Sequence, residues 1–205
     1  MSAPRVTAVV LAGGRSTRFG GDKLATAVAG EPLLHRAVRA VAAAADEVIV
    51  VIGRDAPAPA LPADLPAPVR LARDRELDRG PLAGLVAGLT AASAPAALLV
   101  AGDQPWLRPD VLRLLLEELD GPPGGPGFDV VALHDGDSLW PFPVALRVAT
   151  VRPAAEAALA GDDLRLFTLF GRLRVARVHE SKWRALDAEG ASLRDIDTHD
   201  DVPSR

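Results

Sequence analysis

A chain of 205 residues, 49% of them hydrophobic, is long and apolar enough to bury a core of its own, which excludes intrinsic disorder of its body. It has no cysteine, so disulfides, thiolate nucleophiles and cysteine-held metals are excluded, and a formal net charge of −4 speaks against a dedicated nucleic-acid binder. No apolar run approaches the ~20 residues of a membrane span, and the first apolar stretch leads into glycines rather than an ordinary cleavage site, so we expect a cytoplasmic protein with neither a membrane nor a nucleic-acid partner.

Residues 6–12 (VTAVVLA) are a short β-branched run that ends in glycines, and they read as a buried first strand. After a turn at Gly30 and Glu31, residues 32–45 repeat apolar side chains on a helical period. A second strand is expected at 48–52, an irregular loop rich in Pro and Ala at 54–68, and a short third strand at 69–72. A helix is predicted over 81–92 with Pro81 at a first helical position, then a strand at 96–101 and a helix over 109–119, again opened by proline. Residues 121–127 (GPPGGPG) form a turn or loop too short for a domain linker, and 129–133 a strand. Residues 140–146 read as extended, with Pro141 and Pro143 limiting their pairing. Helices follow at 149–159 and 164–172, and short strands at 175–178 and 193–196. This alternation points to an α/β protein: a doubly wound, mostly parallel sheet with helices on both faces. Ligands of such sheets bind at the carboxyl ends of the strands, which directs attention to the loops after 6–12, 69–72 and 96–101.

The first of these loops, within residues 11–23 (LAGGRSTRFGGDK), carries four glycines, two arginines and a lysine. Glycines let backbone N–H groups approach phosphate oxygens, and Arg and Lys neutralise phosphate charge. The spacing is neither a Walker loop nor GxGxxG. Lys23 and Lys182 are the only lysines among 23 basic residues, and Gln104 is the only glutamine, so these positions attract attention. Lys23 and Arg18 suit a triphosphate, whereas Arg15 fits equally as a solvated loop residue. Asp103 follows an apolar strand into the crevice and has two readings, a ligand for Mg²⁺ or an acid at the start of the next helix. Asp197 likewise reads as a second metal ligand or as the cap of a helix beginning near His199. Asp74 sits at the crevice mouth, either reading a nucleoside or closing a plain turn. Arg165, Arg172 and Arg174 form either an acceptor-phosphate patch or a solvated basic face.

The 11–23 loop closely resembles that of nucleotidyltransferases, and within them the molybdenum cofactor guanylyltransferase family. Asp74 followed by Gly80-Pro81-Leu82-Ala83-Gly84, the turn Ala101-Gly102-Asp103-Gln104-Pro105, and Asp195-Ile196-Asp197-Thr198 resemble further segments of that family, so the resemblance runs from residue 6 to about 202. It implies a Rossmann-like nucleotidyltransferase fold in one domain, 1–205, with a nucleotide-binding half at about 1–120 and an acceptor-binding half at about 121–205. The implied reaction transfers GMP from GTP to molybdenum cofactor or molybdopterin and releases pyrophosphate. The implied catalytic residues are Lys23, Arg18 and Asp103. The nucleotide would be held by Leu11, Ala12, Gly13, Gly14, Arg18, Lys23, Asp74 and Asp103, and Mg²⁺ by Asp103 and Asp197. Partners would be GTP or another NTP, a phosphorylated pterin acceptor, and a molybdoenzyme or cofactor-delivery protein; Trp140 reads either as a packing residue or as an aromatic face for the pterin. One departure concerns the end of the second strand, where the family often has Asn and this chain reads Val51-Ile52-Gly53-Arg54. That keeps open a cytidylyltransferase of the same cofactor, or transfer to a sugar phosphate or another phosphorylated small molecule.

Overall fold

The structure, a computed structural model, describes residues 5–13, 23–76, 79–122, 125–136 and 138–202. Strand β1 (Val6–Leu11) is followed by a 3-10 turn at Lys23–Ala25 and a small antiparallel hairpin of β2 (Ala27–Val28) and β3 (Glu31–Pro32). The hairpin turn holds Ala29 and Gly30 at φ of 51° and 84°, two successive left-handed residues that match the twist of the flanking strands. Helix α1 (Leu33–Ala42), β4 (Glu47–Ile52), β5 (Val69–Arg73), α2 (Gly80–Ala91), β6 (Ala96–Ala101) and α3 (Pro109–Leu119) come next. Then follow β7 (Val130–Asp135), β8 (Ser138–Arg147), α4 (Val148–Leu159), α5 (Leu166–Phe170), β9 (Val175–His179) and α6 (Glu180–Trp183). Among the described residues no helix is long and apolar enough to cross a membrane.

Seven strands form one sheet in the order β5-β4-β1-β6-β8-β7-β9. Every neighbouring pair is parallel except those of β8, which runs against both β6 and β7. The doubly wound, mostly parallel reading of the sequence therefore holds. Alternate residues of the strands feed two cores, as the pleat requires. Ala8, Val10, Val50 and Val100 meet α1 and α3 on one face, while Val9, Val51, Leu99 and Val144 meet α2, α4 and α5 on the other.

One expectation holds and another needs correction. Residues 140–146 are extended, within an interior strand, and their pairing is limited around the prolines as expected. Pairing with β6 runs only from Arg147 back to Val144, and pairing with β7 jumps from Val144 to Leu139, so Pro141 and Pro143 fall where neither ladder needs their N–H. The same irregularity reverses the pleat: Phe142 packs with the α2 face and Trp140 with the α3 face, although residues two apart share a face in a regular strand. The segment predicted as a strand at 193–196 is instead a 3-10 turn (Ala191–Leu193) running into an extended stretch with no ladder partner. Its Ile196 N–H donates to the Asp103 carbonyl at 3.1 Å, and Ile196 is buried against Val28, Leu33 and Trp106.

Glycine spacing sets how closely α2 lies on the sheet. Gly84 and Gly88 are four residues apart and face β1. A Cβ at Gly84 would stand 3.0 Å from Leu11 Cδ2, and one at Gly88 2.3 Å from Val9 Cγ1. At the amino end of the sheet, the buried Glu47 carboxylate accepts from Thr7 Oγ1 (2.5 Å), Ser93 N (2.8 Å), Ser93 Oγ (2.6 Å) and Arg70 Nη2 (3.1 Å). Burial alone would raise its pKa, but the Ser93 and Thr7 hydrogen bonds outweigh it and bring the value down to about 2.

Two stability predictions follow from this packing. Gly88→Val overpacks the α2–β1 contact and should cost about 2 kcal/mol or more, a fall in Tm of roughly 4–8 °C; an unchanged Tm by calorimetry would show that α2 can move off the sheet. Glu47 is ionised more readily folded than unfolded, so its stabilisation is present above about pH 4.5 and is lost as pH falls towards 2. Glu47→Gln should therefore be less stable than wild type at pH 7, by up to about 3 kcal/mol, with the gap closing as pH drops through that window in urea titrations.

Candidate active site

The chain runs outward from β1 to β4 and β5, then returns across β1 to β6. Loops leaving a sheet at such a reversal diverge and open a crevice at the carboxyl ends of the strands. Here the crevice has a volume of about 540 Å³, and Leu11, Ala12, Gly13, Lys23, Asp74 and Asp103 are among the residues that line it. Backbone hydrogen bonds fix its floor: Ala12 N donates to Val51 O (2.8 Å), Gly102 N to Leu11 O (2.9 Å) and Asp74 N to Ile52 O (2.9 Å). A Cβ on Gly102 would lie 3.0 Å from Leu11 O, so the turn carrying Asp103 needs glycine to sit this close to β1.

Lys23 is buried, and its Nζ donates at 2.8 Å to both Asp103 Oδ2 and Asp197 Oδ1. Burial opposes its charge, yet the hydrogen bonds and charges of Asp103 and Asp197 outweigh that and hold its pKa above the ordinary lysine value. Asp195 joins the group: one oxygen from each of Asp103, Asp195 and Asp197 lies within 4.8 Å of the others. Burial, followed by the charges of Asp197 and Asp103, raises the Asp195 carboxyl. With one ammonium among three carboxylates, the cluster keeps an excess of negative charge. The second oxygen of Asp103, Oδ1, is buried and has no hydrogen-bond partner among the described residues. Hard oxygen donors with uncompensated charge and a free buried oxygen fit a divalent cation such as Mg²⁺.

The local geometry explains how the C-terminal segment reaches this point. In extended backbone, Ile196 points into its apolar socket and its neighbours Asp195 and Asp197 turn the other way, towards Asp103. Asp197 does not cap the following 3-10 turn, His199–Asp201. Asp201 takes that role, its Oδ2 accepting from Asp197 N (3.0 Å), Thr198 N (2.7 Å) and Thr198 Oγ1 (2.9 Å). Gln104, buried, ties the same pieces together: Oε1 accepts from Ala101 N (3.2 Å), and Nε2 donates to Ser192 O (3.2 Å) and Phe142 O (3.5 Å).

Asp74 ends β5 on the opposite side of the crevice. Its Oδ1 accepts from Glu76 N at 2.8 Å, closing a turn, and burial with the nearby Glu76 charge raises its carboxyl pKa despite that bond. The expected residues Leu11, Ala12, Gly13, Lys23, Asp74 and Asp103 thus share one crevice, and Asp197 joins through Lys23. Gly14, Arg15 and Arg18 lie outside the described residues. Trp140 is packed against the core of the α3 face, and the aromatic residue of β8 that lines the crevice is Phe142; the reversed pleat accounts for the exchange. Arg165 is bound to Asp163 at 2.6 Å and Arg174 to Asp129 at 3.4 Å, so two of the three cations expected in a phosphate patch already hold carboxylates. Asp195 and Phe142 were not singled out as site residues from sequence. The Asp-x-Asp spacing was a signal for the former, and the break in the β8 pleat left none for the latter.

The sequence pattern of the MobA-like NTP transferase domain family matches residues 8–176. A probable molybdenum cofactor guanylyltransferase of Natronomonas pharaonis is 33% identical over 203 residues, covering 96% of this chain and 94% of the relative. The chain belongs to the MobA-like NTP transferase family. A second family relative, a probable molybdenum cofactor guanylyltransferase of Chloroflexus aggregans, is 32% identical over 200 residues, covering 96% of this chain and 91% of its own. The fold is shared with the crystal structure of molybdopterin-guanine dinucleotide biosynthesis protein A from Archaeoglobus fulgidus, with a TM-score of 0.73, 21% identity, and coverage of 96% of this chain and 94% of that one. Family and fold together make this protein a nucleotidyltransferase.

Proposed function

We propose that the protein transfers GMP from GTP to the phosphate of molybdopterin or the molybdenum cofactor and releases pyrophosphate. The observation that carries the reading is the Lys23 ammonium bridging Asp103 and Asp197 at the switch point of the sheet, in a chain of this family. The relatives named as guanylyltransferases span nearly its whole length, which supports the choice of nucleotide and acceptor. In this reading residues 1–120 bind the nucleotide and 121–205 the acceptor, as two halves of one domain.

An acceptor phosphate oxygen attacks the α-phosphorus in line. The new P–O bond forms as the bond to the β-phosphate oxygen breaks, and pyrophosphate leaves with that electron pair. The attacking oxygen is already anionic, so no side chain has to remove a proton. Catalysis then rests on position and on charge. The backbone of Leu11, Ala12 and Gly13 approaches the base, and Asp74 faces the nucleoside. Lys23 supplies a mobile point charge to the phosphates, shared with Arg18 and the N–H groups around Gly14. Asp103 and Asp197, with Asp195 beside them, hold Mg²⁺, which when bound supplies neutralising charge and orients phosphate oxygens. Phe142, which lines the same crevice, offers an apolar face to the pterin.

The reading is tested by pyrophosphate release from purified protein given Mg²⁺, molybdopterin and each NTP in turn. GTP should be preferred; a preference for CTP would replace the guanylyl assignment, and no release with any NTP would remove the enzymatic one. Asp103→Asn should lower turnover by at least roughly a hundredfold in a protein that still folds, since it removes charge and leaves shape while Asp197 still pairs with Lys23. Lys23→Ala should both raise KM for the nucleotide and lower kcat, and kinetics matching wild type would remove the phosphate role.

A further inference from the structure

The wall of the crevice formed by the loop after β4 lacks a side chain where it begins, because residue 53 is glycine. Gly53 also stands close to the β1 loop: a Cβ on Gly13 would lie 3.5 Å from Gly53 N. Arg54, Asp55 and Ala56 of the same loop line the crevice too, so any selection this wall makes among nucleobases depends on where the loop backbone holds them, and a site selects only when held within about half an ångström of its working position. The loop itself is irregular from Gly53 to Pro68 and gains nothing from a strand ladder there.

One side chain supplies the restraint. Arg73 lies at the end of β5, paired in register with Ile52. Its Nη1 donates to the carbonyls of Gly53 (3.2 Å), Arg54 (2.8 Å) and Ala56 (2.8 Å). Ala56 N donates in turn to Gly53 O at 3.1 Å, so the loop closes around the guanidinium. Among the described residues Arg73 has no carboxylate partner, and all its hydrogen bonds go to this loop. The next residue, Asp74, lines the crevice. Adjacent residues of one strand end therefore hold the wall and face the ligand space.

We infer that Arg73 is a positioning residue for nucleobase selectivity: it clamps the Gly53–Ala56 backbone and so keeps this wall in the position from which it discriminates between bases. The inference rests on the proposed nucleotidyl transfer for its ligand, a purine nucleoside triphosphate, but the clamp itself does not. All three bonds leave the single nitrogen Nη1, so a lysine, with its ammonium on a shorter stem, retains only part of the clamp.

The test uses Arg73→Ala and Arg73→Lys in the full chain. Hydrogen exchange of the ligand-free protein should show the amides of residues 54–56 exchanging about tenfold faster in Arg73→Ala, with the central strands unchanged. Equilibrium binding with Mg²⁺ should show a Kd for GTP raised about tenfold and a GTP-over-CTP preference reduced by a similar factor, the loss expected for charged hydrogen bonds. Turnover at saturating GTP should stay within about threefold of wild type, because Arg73 touches no reacting atom. Arg73→Lys should show the same changes at smaller size, and it carries the test alone if Arg73→Ala does not fold. Unchanged exchange at 54–56 would overturn the clamp. Faster exchange with an unaltered GTP-to-CTP ratio would overturn the selectivity role. Failure of wild type to bind any NTP would instead strike the proposed function, and the exchange result would still decide the clamp.

Discussion

A single ammonium group holds the candidate site together. Lys23 joins carboxylates 80 and 174 residues away along the chain, so the turn after the glycine loop, the turn after β6 and the C-terminal extended segment meet at one atom. Burying a lysine is unfavourable unless its charge is matched, and here two carboxylates match it. Removing either partner of such a pair costs more than the pair contributes, because the remaining charge is left in a poor solvent. Removing the lysine would set three carboxylates against one another. The cluster is thus a device for keeping negative charge concentrated in a crevice while the protein remains folded, which is also what a site for a divalent cation needs.

That concentration is possible only because the backbone elements around it approach so closely. Gly102 lets the Asp103 turn lie on the carbonyl of Leu11, and Gly84 and Gly88 let α2 rest on β1. The two ends of the sheet then do different work. At the amino end, Glu47 gathers four donors and its charge is consumed in holding strands and loops together. At the carboxyl end, Asp103 keeps one buried oxygen without a partner. The same residue chemistry is structural where it is saturated and available for binding where it is not.

Much of this was legible in the sequence, for identifiable reasons. Parallel strands buried on both faces appear as continuous apolar runs, and β1, β4 and β6 were found within a residue or so of their ends; helix α3 was bounded by its early proline. Asp74 and Asp103 stood out because each follows a strand at the end where ligands bind, and Lys23 because it ends the glycine loop in a chain with only two lysines. What was not legible depended on long-range packing. The position of β8 inside the sheet contradicts the usual meaning of strand prolines, and only the mismatched registers with β6 and β7 explain it. The 193–196 segment has the composition of a strand, yet Ile196 is a plug between α1 and the β2–β3 hairpin, and no local pattern distinguishes a plug from a strand residue. The hairpin itself is too short to produce a periodicity. Its turn was visible at Gly30, its strands were not.

The near-absence of lysine sharpens the division between the two kinds of cation. Four arginines donate to carbonyls at the ends of the four longest helices: Arg113 to Ala43 after α1, Arg70 to Ala91 of α2, Arg147 to Leu119 of α3 and Arg79 to Leu159 of α4. Those carbonyls lack intrahelical donors and carry the negative end of the helix dipole, so a charged, multidentate donor is well matched to them. Arg73 does the same work on a crevice loop instead of a helix end. Lys23 has a different task. A point charge with tetrahedral donors can sit between two carboxylates and still turn towards a third anionic group, whereas a planar guanidinium would commit its edge to one of them. Five arginines of this chain fix carbonyl oxygens in place, whereas the one buried lysine sits between two carboxylates at the carboxyl ends of the strands.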